Sequence, residues 1–186
     1  MNSALDRTCI IEGFLNQHGE VTYTGRLDQF DAVKANNMNI HYETLINVNW
    51  GDSDPFGLVY FPRMMSWFND TEHELFRRAG YPVNKMVDQD RTAFVMGKVE
   101  FRFEGPAAYG DRVIASIDLE KVGNSTMRWR CRAVQEKGGA IITQGMATRI
   151  YAEIMEDGSL ASRPIPDKVL EALRDFTAAN GLVRLT

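Results

Sequence analysis

Apolar and polar residues alternate with a period of two along most of this chain, and one stretch switches to spacings of three and four. Ile40, Tyr42, Ile46, Val48 and Trp50 share one parity against His41, Glu43, Asn47 and Asn49, with Leu45 out of step. That pattern predicts a strand with one buried face. A loop of Asp, Pro and Gly follows over Gly51 to Phe61. Beyond Pro62, residues Met64, Trp67, Phe68, Thr71 and Leu75 predict a helix that opens on the proline and runs to Gly80, just before Pro82. Odd positions then carry the apolar residues of three more strands: Ala93, Val95, Val99, Phe101 and Phe103; Val113, Ala115, Ile117 and Leu119; Met127, Trp129, Cys131 and Ala133. Gly105-Pro106, Gly110-Asp111, Gly123-Asn124 and Gly138-Gly139 punctuate them. In a last strand, about Ala140 to Ile154, the pair Ile141-Ile142 breaks the alternation, which signals burial on both faces or a bulge. Val169, Leu170, Leu173 and Phe176 predict a C-terminal amphipathic helix.

One strand, one long helix and four strands joined by connections too short for parallel crossovers predict an α+β domain, its sheet largely antiparallel and the helix packed on one face. The domain spans residues 39–186, and residues 1–38 form an N-terminal extension in which Thr8 to Leu15 and Glu20 to Leu27 could pair as a hairpin about Gln17-His18-Gly19. With 186 residues, 44% of them hydrophobic and 25% charged, one domain with a true core is expected and a disordered chain is excluded. A net charge of -4 argues against nonspecific binding to nucleic acid or to anionic membranes. Cys9 and Cys131 form no CxxC pair, Met1 to Glu20 carries no cationic leader, and no apolar run approaches the roughly 20 residues that span a bilayer. A cytoplasmic protein without membrane insertion is the expectation.

Chemistry concentrates in Trp50-Gly51-Asp52-Ser53-Asp54-Pro55-Phe56-Gly57-Leu58-Val59-Tyr60-Phe61-Pro62, which joins the first strand to the helix. A helix N-terminus aims its unpaired amides at whatever sits there, a setting suited to an anionic transition state; a capped turn alone would also use these residues. A calcium loop from Asp52 fails, because Phe56 and Arg63 stand where its fifth and twelfth ligands belong. No GxSxG, Walker A or dinucleotide glycine pattern occurs, and His18, His41 and His73 are scattered, with Arg77 where a zinc helix would place its second histidine. Neither a metal nor a cofactor is expected.

Asp52-Ser53-Asp54-Pro55-Phe56-Gly57-Leu58-Val59-Tyr60-Phe61-Pro62, followed by Trp67-Phe68 and Ala79-Gly80-Tyr81-Pro82, closely resembles the 4-hydroxybenzoyl-CoA thioesterase family of hotdog-fold proteins, over about Ile40 to Glu153. The resemblance implies an antiparallel sheet of about five strands wrapped around the long helix. It also implies homodimers or homotetramers with acyl-thioester sites between subunits. The catalytic carboxylate of that family falls on Asp54, and the backbone N–H that polarises the thioester carbonyl falls on Phe61. A carboxylate with a reference pKa of about 3.9 is ionised at neutral pH without a helper histidine, so it can attack the thioester or activate a water. Asp52 and Gly57 are read as ordering the loop. Tyr60, Thr92, Lys121 and Arg128 are candidate substrate contacts, with Thr92 to Val95 entering the strand that faces a partner's site.

The departures bear on the substrate. Aryl-CoA relatives have a small residue at the place of Phe56, and a basic cluster where this chain reads Gly123-Asn124-Ser125. Lys121 flanks that turn while Arg128, Arg130 and Arg132 share a strand face, so the basic groups have either moved or form a solvated face. The substrate is thus expected to be an acyl-CoA or an acyl-carrier-protein thioester. Hotdog dehydratases carry His-Phe-Pro where Tyr60-Phe61-Pro62 stands, so dehydration loses its base. A non-catalytic acyl-CoA-binding or sensing protein is the other alternative, and the presence of Asp54 counts against it.

Overall fold

A computed structural model of the chain describes residues 10–15, 21–24 and 39–180. In chain order the elements are β1 (Ile10–Leu15), β2 (Val21–Thr24), β3 (His41–Asn47), α1 (Phe61–Arg78), α2 (Val83–Asp88), β4 (Thr92–Phe103), β5 (Arg112–Val122), β6 (Thr126–Gln135), β7 (Ile141–Ile154), β8 (Leu160–Ser162) and α3 (Asp167–Asn180). The central sheet runs β3-β5-β6-β7-β4 with every pairing antiparallel. This is the α+β hotdog arrangement. At the far end of β7, the short β8 continues the sheet to β1 and β2, which pair antiparallel with Leu15 opposite Val21. The turn expected at Gln17-His18-Gly19 lies outside the described residues, as does Cys9.

Burial follows the alternation closely in the middle strands. Val113, Ala115 and Ile117 on β5, and Met127, Trp129, Cys131 and Ala133 on β6, are at most 1% exposed and face α1. Helix α1 answers with Met64, Trp67, Phe68, Thr71, Glu72, Leu75 and Phe76. A Schellman cap ends it, with the Gly80 N–H donating to the Arg77 carbonyl and the Tyr81 N–H to that of Phe76. Against the same core α3 buries Val169, Leu170 and Leu173, and its Phe176 ring lies 6.1 Å from that of Tyr42.

Three features depart from the alternation. Trp50 does not continue β3: it opens a 3-10 turn over Trp50–Asp52 and is 76% exposed. In β7 the register against β6 skips between Ala133 and Val134, leaving Ile142 as an extra residue. From Ala147 to Ala152 the same strand is buried without alternation, so both of its faces are covered there. Finally, among the described residues β4 pairs only with β7, and its Val99 and Phe103 stay about half exposed. Where β4 crosses β7, Gly145 admits the Glu100 carbonyl into the space a Cβ would fill.

Several polar groups inside the core are paired, whereas Tyr42 Oη and Trp129 Nε1 are buried without a hydrogen-bond partner among the described residues. Thr71 donates to the Trp67 carbonyl, so Thr44 donates to Thr71 across 2.6 Å and ties β3 to α1. Glu72 receives Nε and Nη2 of Arg149 from β7, each at 2.7 Å, and Nη2 also reaches Asn69 Oδ1 at 2.6 Å. Burial pushes the Glu72 carboxyl up while Arg149 pulls it down, and burial prevails.

Candidate active site

The Asp-Pro-Phe-Gly segment is a four-residue turn. Gly57 donates to the Asp54 carbonyl at 2.9 Å, Asp54 donates to the Leu58 carbonyl at 2.7 Å, and Ser53 bridges Val59. Pro55 occupies the second position, where its fixed φ suits a type I turn, and Gly57 adopts φ +78, the left-handed conformation that closes the bulge. The tip carries Phe56, 88% exposed.

Asp54 serves this turn with its side chain as well. Its Oδ1 accepts the N–H groups of Phe56 at 2.8 Å and Leu58 at 3.2 Å. Its Oδ2 has no partner among the described residues. Asp52 also orders backbone: Oδ2 accepts the Asn49 N–H at 2.9 Å, and its carbonyl accepts the Tyr60 N–H at 2.9 Å. Both acids therefore organise the loop, a task the sequence reading gave to Asp52 and Gly57 but not to Asp54. The loop is anchored to the β4–β5 connection, where Val59 donates to the Ala107 carbonyl at 2.7 Å and Leu58 bridges Ala108.

Helix α1 begins where this ladder ends. Pro62 has no N–H and Arg63 donates back to the Tyr60 carbonyl at 2.8 Å, whereas the Phe61 N–H has no acceptor among the described residues. Phe61 lies three positions beyond Leu58, the partner of Asp54, or about 10 Å of extended backbone. Around this end of the helix stand exposed aromatic rings: Tyr60 lies 5.2 Å from Phe61, Phe61 lies 6.0 Å from Phe103, and Trp50 lies 5.6 Å from Tyr109.

The remaining candidates sit elsewhere. Thr92 opens β4, whose other end, Phe103, touches Phe61; the strand between them is 12 residues long, about 36 Å. Lys121, next to last in β5, stands opposite Arg128 on β6, again at the far end from the motif loop, which adjoins the Arg112 end of β5. One chain thus brings Asp52, Asp54, Gly57, Tyr60 and Phe61 together and leaves Thr92, Lys121 and Arg128 apart from them. Glu120 takes up two of the strand cations, Arg128 at 3.3 Å and Arg130 at 2.9 Å, so that face is a solvated ion-pair network.

Sequence reading passed over two groups here. Arg63, in the first turn of α1, has its Nε 3.7 Å from Asp52 Oδ1; its signal was a cation at the wrong end of a helix. Glu72 announced itself as an acid on the apolar stripe of the helix. Of the other reactive groups, the Cys131 thiol is pushed up to about 12 by burial, which removes it as a nucleophile. Burial and the charge of Arg149 hold the His73 imidazole below its ordinary value, and among the described residues no group of His, Cys, Asp and Glu is arranged to hold a metal.

A profile of the thioesterase-like superfamily matches residues 48–173. Among solved structures, the fold is similar to that of a 1,4-dihydroxy-2-naphthoyl-CoA thioesterase from Synechocystis, at a TM-score of 0.66 and 15% identity over 73% of this chain and 96% of that one. It is similar also to 4-hydroxybenzoyl-CoA thioesterase from Pseudomonas sp. strain CBS-3, at 0.62 and 19% over 71% and 98% of the two chains. A DHNA-CoA thioesterase from Staphylococcus aureus aligns at 0.61 and 14% over 78% and 99%. No curated protein sequence matches the chain. At these identities the solved structures establish the hotdog fold, and the profile, which takes in the motif loop, α1, β4 to β8 and half of α3, establishes that the chain belongs to the thioesterase-like superfamily.

Proposed function

We propose that the protein hydrolyses acyl thioesters of coenzyme A or of a carrier protein, with Asp54 as the reacting carboxylate and the Phe61 N–H as the oxyanion donor. The observation that carries this reading is the division of labour within Asp54: Oδ1 is held by two backbone amides, which fix the side chain, while Oδ2 has no partner among the described residues. A positioned, ionised carboxylate costs little reorganisation when it reacts. As a nucleophile, Oδ2 adds to the thioester carbonyl, the thiolate leaves and takes a proton from water, and a second water cleaves the mixed anhydride. As a base, Oδ2 removes a proton from the attacking water and returns it to the leaving sulfur. Either route places negative charge on the carbonyl oxygen, which the Phe61 amide at the positive end of α1 stabilises.

The proposal includes a composite site in a homodimer. The open β4 edge, with Val99 and Phe103 half exposed, is suited to pairing antiparallel with the β4 of a second copy. Such a two-fold sets the Thr92 end of one strand beside the Phe103 end of the other, where Phe61 lies. It would supply from the second copy the substrate contacts that one chain leaves distant. The test is a hydrolysis screen of aryl-, short- and long-chain acyl-CoAs and acyl-carrier thioesters, with sedimentation of the same preparation. Turnover by a dimer or tetramer supports the proposal. Absence of turnover across the screen, with tight binding of acyl-CoA, would instead make the protein a sensor, and an active monomer at micromolar concentration would remove the composite site.

A further inference from the structure

Arg63 is placed where helix physics disfavours it. The first turn of α1 holds no acid, and a cation there opposes the macrodipole. Its nearest carboxylate oxygen, Asp52 Oδ1, lies 3.7 Å from Nε, outside hydrogen-bonding distance, and the side chain is 57% exposed. An exposed pair held this loosely contributes little, no more than the same order as the dipole cost. Four other arginines hold a carboxylate more closely: Arg77 and Arg78 bind Glu74 at 2.6–2.7 Å, Arg149 binds Glu72 at 2.7 Å and Arg163 binds Glu153 at 2.8 Å. Local stability therefore gives no reason for a guanidinium two residues beyond the Phe61 N–H. The loop around it is acidic, with Asp52 and Asp54, and any anionic ligand entering there needs a countercharge.

We infer that Arg63 selects thioester substrates that carry an anionic group, which its guanidinium binds in two-point fashion in place of the loose contact with Asp52. The inference rests on the thioesterase reading above and narrows it to a substrate class. Two parts of a thioester could supply the anion: a carboxylate on the acyl group, or a phosphate of the carrier. The rings of Tyr60 and Phe61 beside the site would line the apolar part of either.

The experiment measures kcat/KM for succinyl and butyryl thioesters, each on coenzyme A and on the phosphate-free carrier N-acetylcysteamine, with wild type and Arg63→Gln. Arg63 is exposed, and matching circular dichroism and Tm would confirm that both proteins are folded. The expected result is that the substitution lowers kcat/KM at least about tenfold for thioesters bearing the recognised anion, chiefly through KM. A loss that follows the succinyl group on both carriers assigns the acyl carboxylate. A loss that follows coenzyme A whatever the acyl group assigns the phosphate. Changes under threefold throughout, or one equal loss on all four substrates, would overturn the inference. If wild type turns over none of them, the thioesterase reading fails separately, and calorimetric binding of the matching non-hydrolysable thioethers decides the role of Arg63 by the same comparison.

Discussion

Asp54 carries two duties, and a pair of substitutions separates them. In Asp54→Asn the side-chain oxygen at Oδ1 still accepts the Phe56 and Leu58 amides, now held at 2.8 and 3.2 Å, but the ionised oxygen is gone. In Asp54→Ala both amides lose their acceptor. At about 0.5–1.5 kcal/mol per bond, with the loop exposed enough for water to replace part of the loss, the alanine variant should be destabilised by about 1–2 kcal/mol. For a chain of this size that lowers Tm by about 2–8 °C, while the asparagine variant should stay within about 1–2 °C of wild type. Both variants should lose at least about a hundredfold in kcat, the low end of what a positioned acid or base contributes. The assay follows released thiol colorimetrically, beside thermal melts of the same samples. Asp54→Asn within threefold of wild-type rate, with native circular dichroism, would remove Asp54 from the chemistry. Equal Tm losses in the two variants would refute the account of the turn.

Asp52→Asn should act on stability or KM more than on kcat, because its oxygens hold the Asn49 amide and face Arg63; a kcat loss as large as that of Asp54→Asn would contradict this. His73 favours its neutral form in the folded state, so the unfolded chain binds more protons below pH 6.5 and stability falls as pH drops through that window. Tm should decline from pH 7 to 5 and decline less in His73→Gln; identical profiles would sink the assignment. Gly145→Ala should cost at least about 2 kcal/mol in urea denaturation, since the β4 backbone must move to admit a methyl, and a loss below about 0.5 kcal/mol would show that the strands can part freely.

The parts of this protein that were legible in its sequence are those governed by periodicity. On β5 and β6 every second side chain enters one core and the next meets solvent, so Val113 to Ile117 and Met127 to Ala133 read correctly. Strand β7 resisted because burial of both faces from Ala147 to Ala152 leaves no polar face, and β4 because one of its edges and both of its faces remain partly uncovered. Trp50 continued an alternation whose backbone had already turned. The short α2 and β8 carry too few residues for a period to show. In the motif loop, Asp, Pro and Gly spell a turn as readily as a site, and the fold uses them as a turn. Which acid also has an oxygen left for chemistry depends on hydrogen bonds that spacing does not encode. The cross-sheet pairs, Thr44 with Thr71 and Glu72 with Arg149, join residues 27 and 77 positions apart and leave no local signature.

The pair Glu72–Arg149 ties the helix that bears the Phe61 amide to the middle of the sheet, and its energetics can be read from a double-mutant cycle. Both side chains are about 5% exposed, so each has lost its hydration and depends on the other. Trp129 Nε1 lies close enough to Glu72 to favour its charge without meeting hydrogen-bond geometry, and so does not replace Arg149. Glu72→Met strands a buried guanidinium with only Asn69 as acceptor, and Arg149→Met strands a buried carboxyl; each should cost about 3–5 kcal/mol. Removing both charges leaves two flexible apolar side chains of similar volume in an apolar core, so the double variant should lie well above either single in stability. Chemical denaturation measures all four corners. Losses that simply add, giving a double variant about 6–10 kcal/mol below wild type, would mean that the two residues act through packing and that their charges do not hold each other in place.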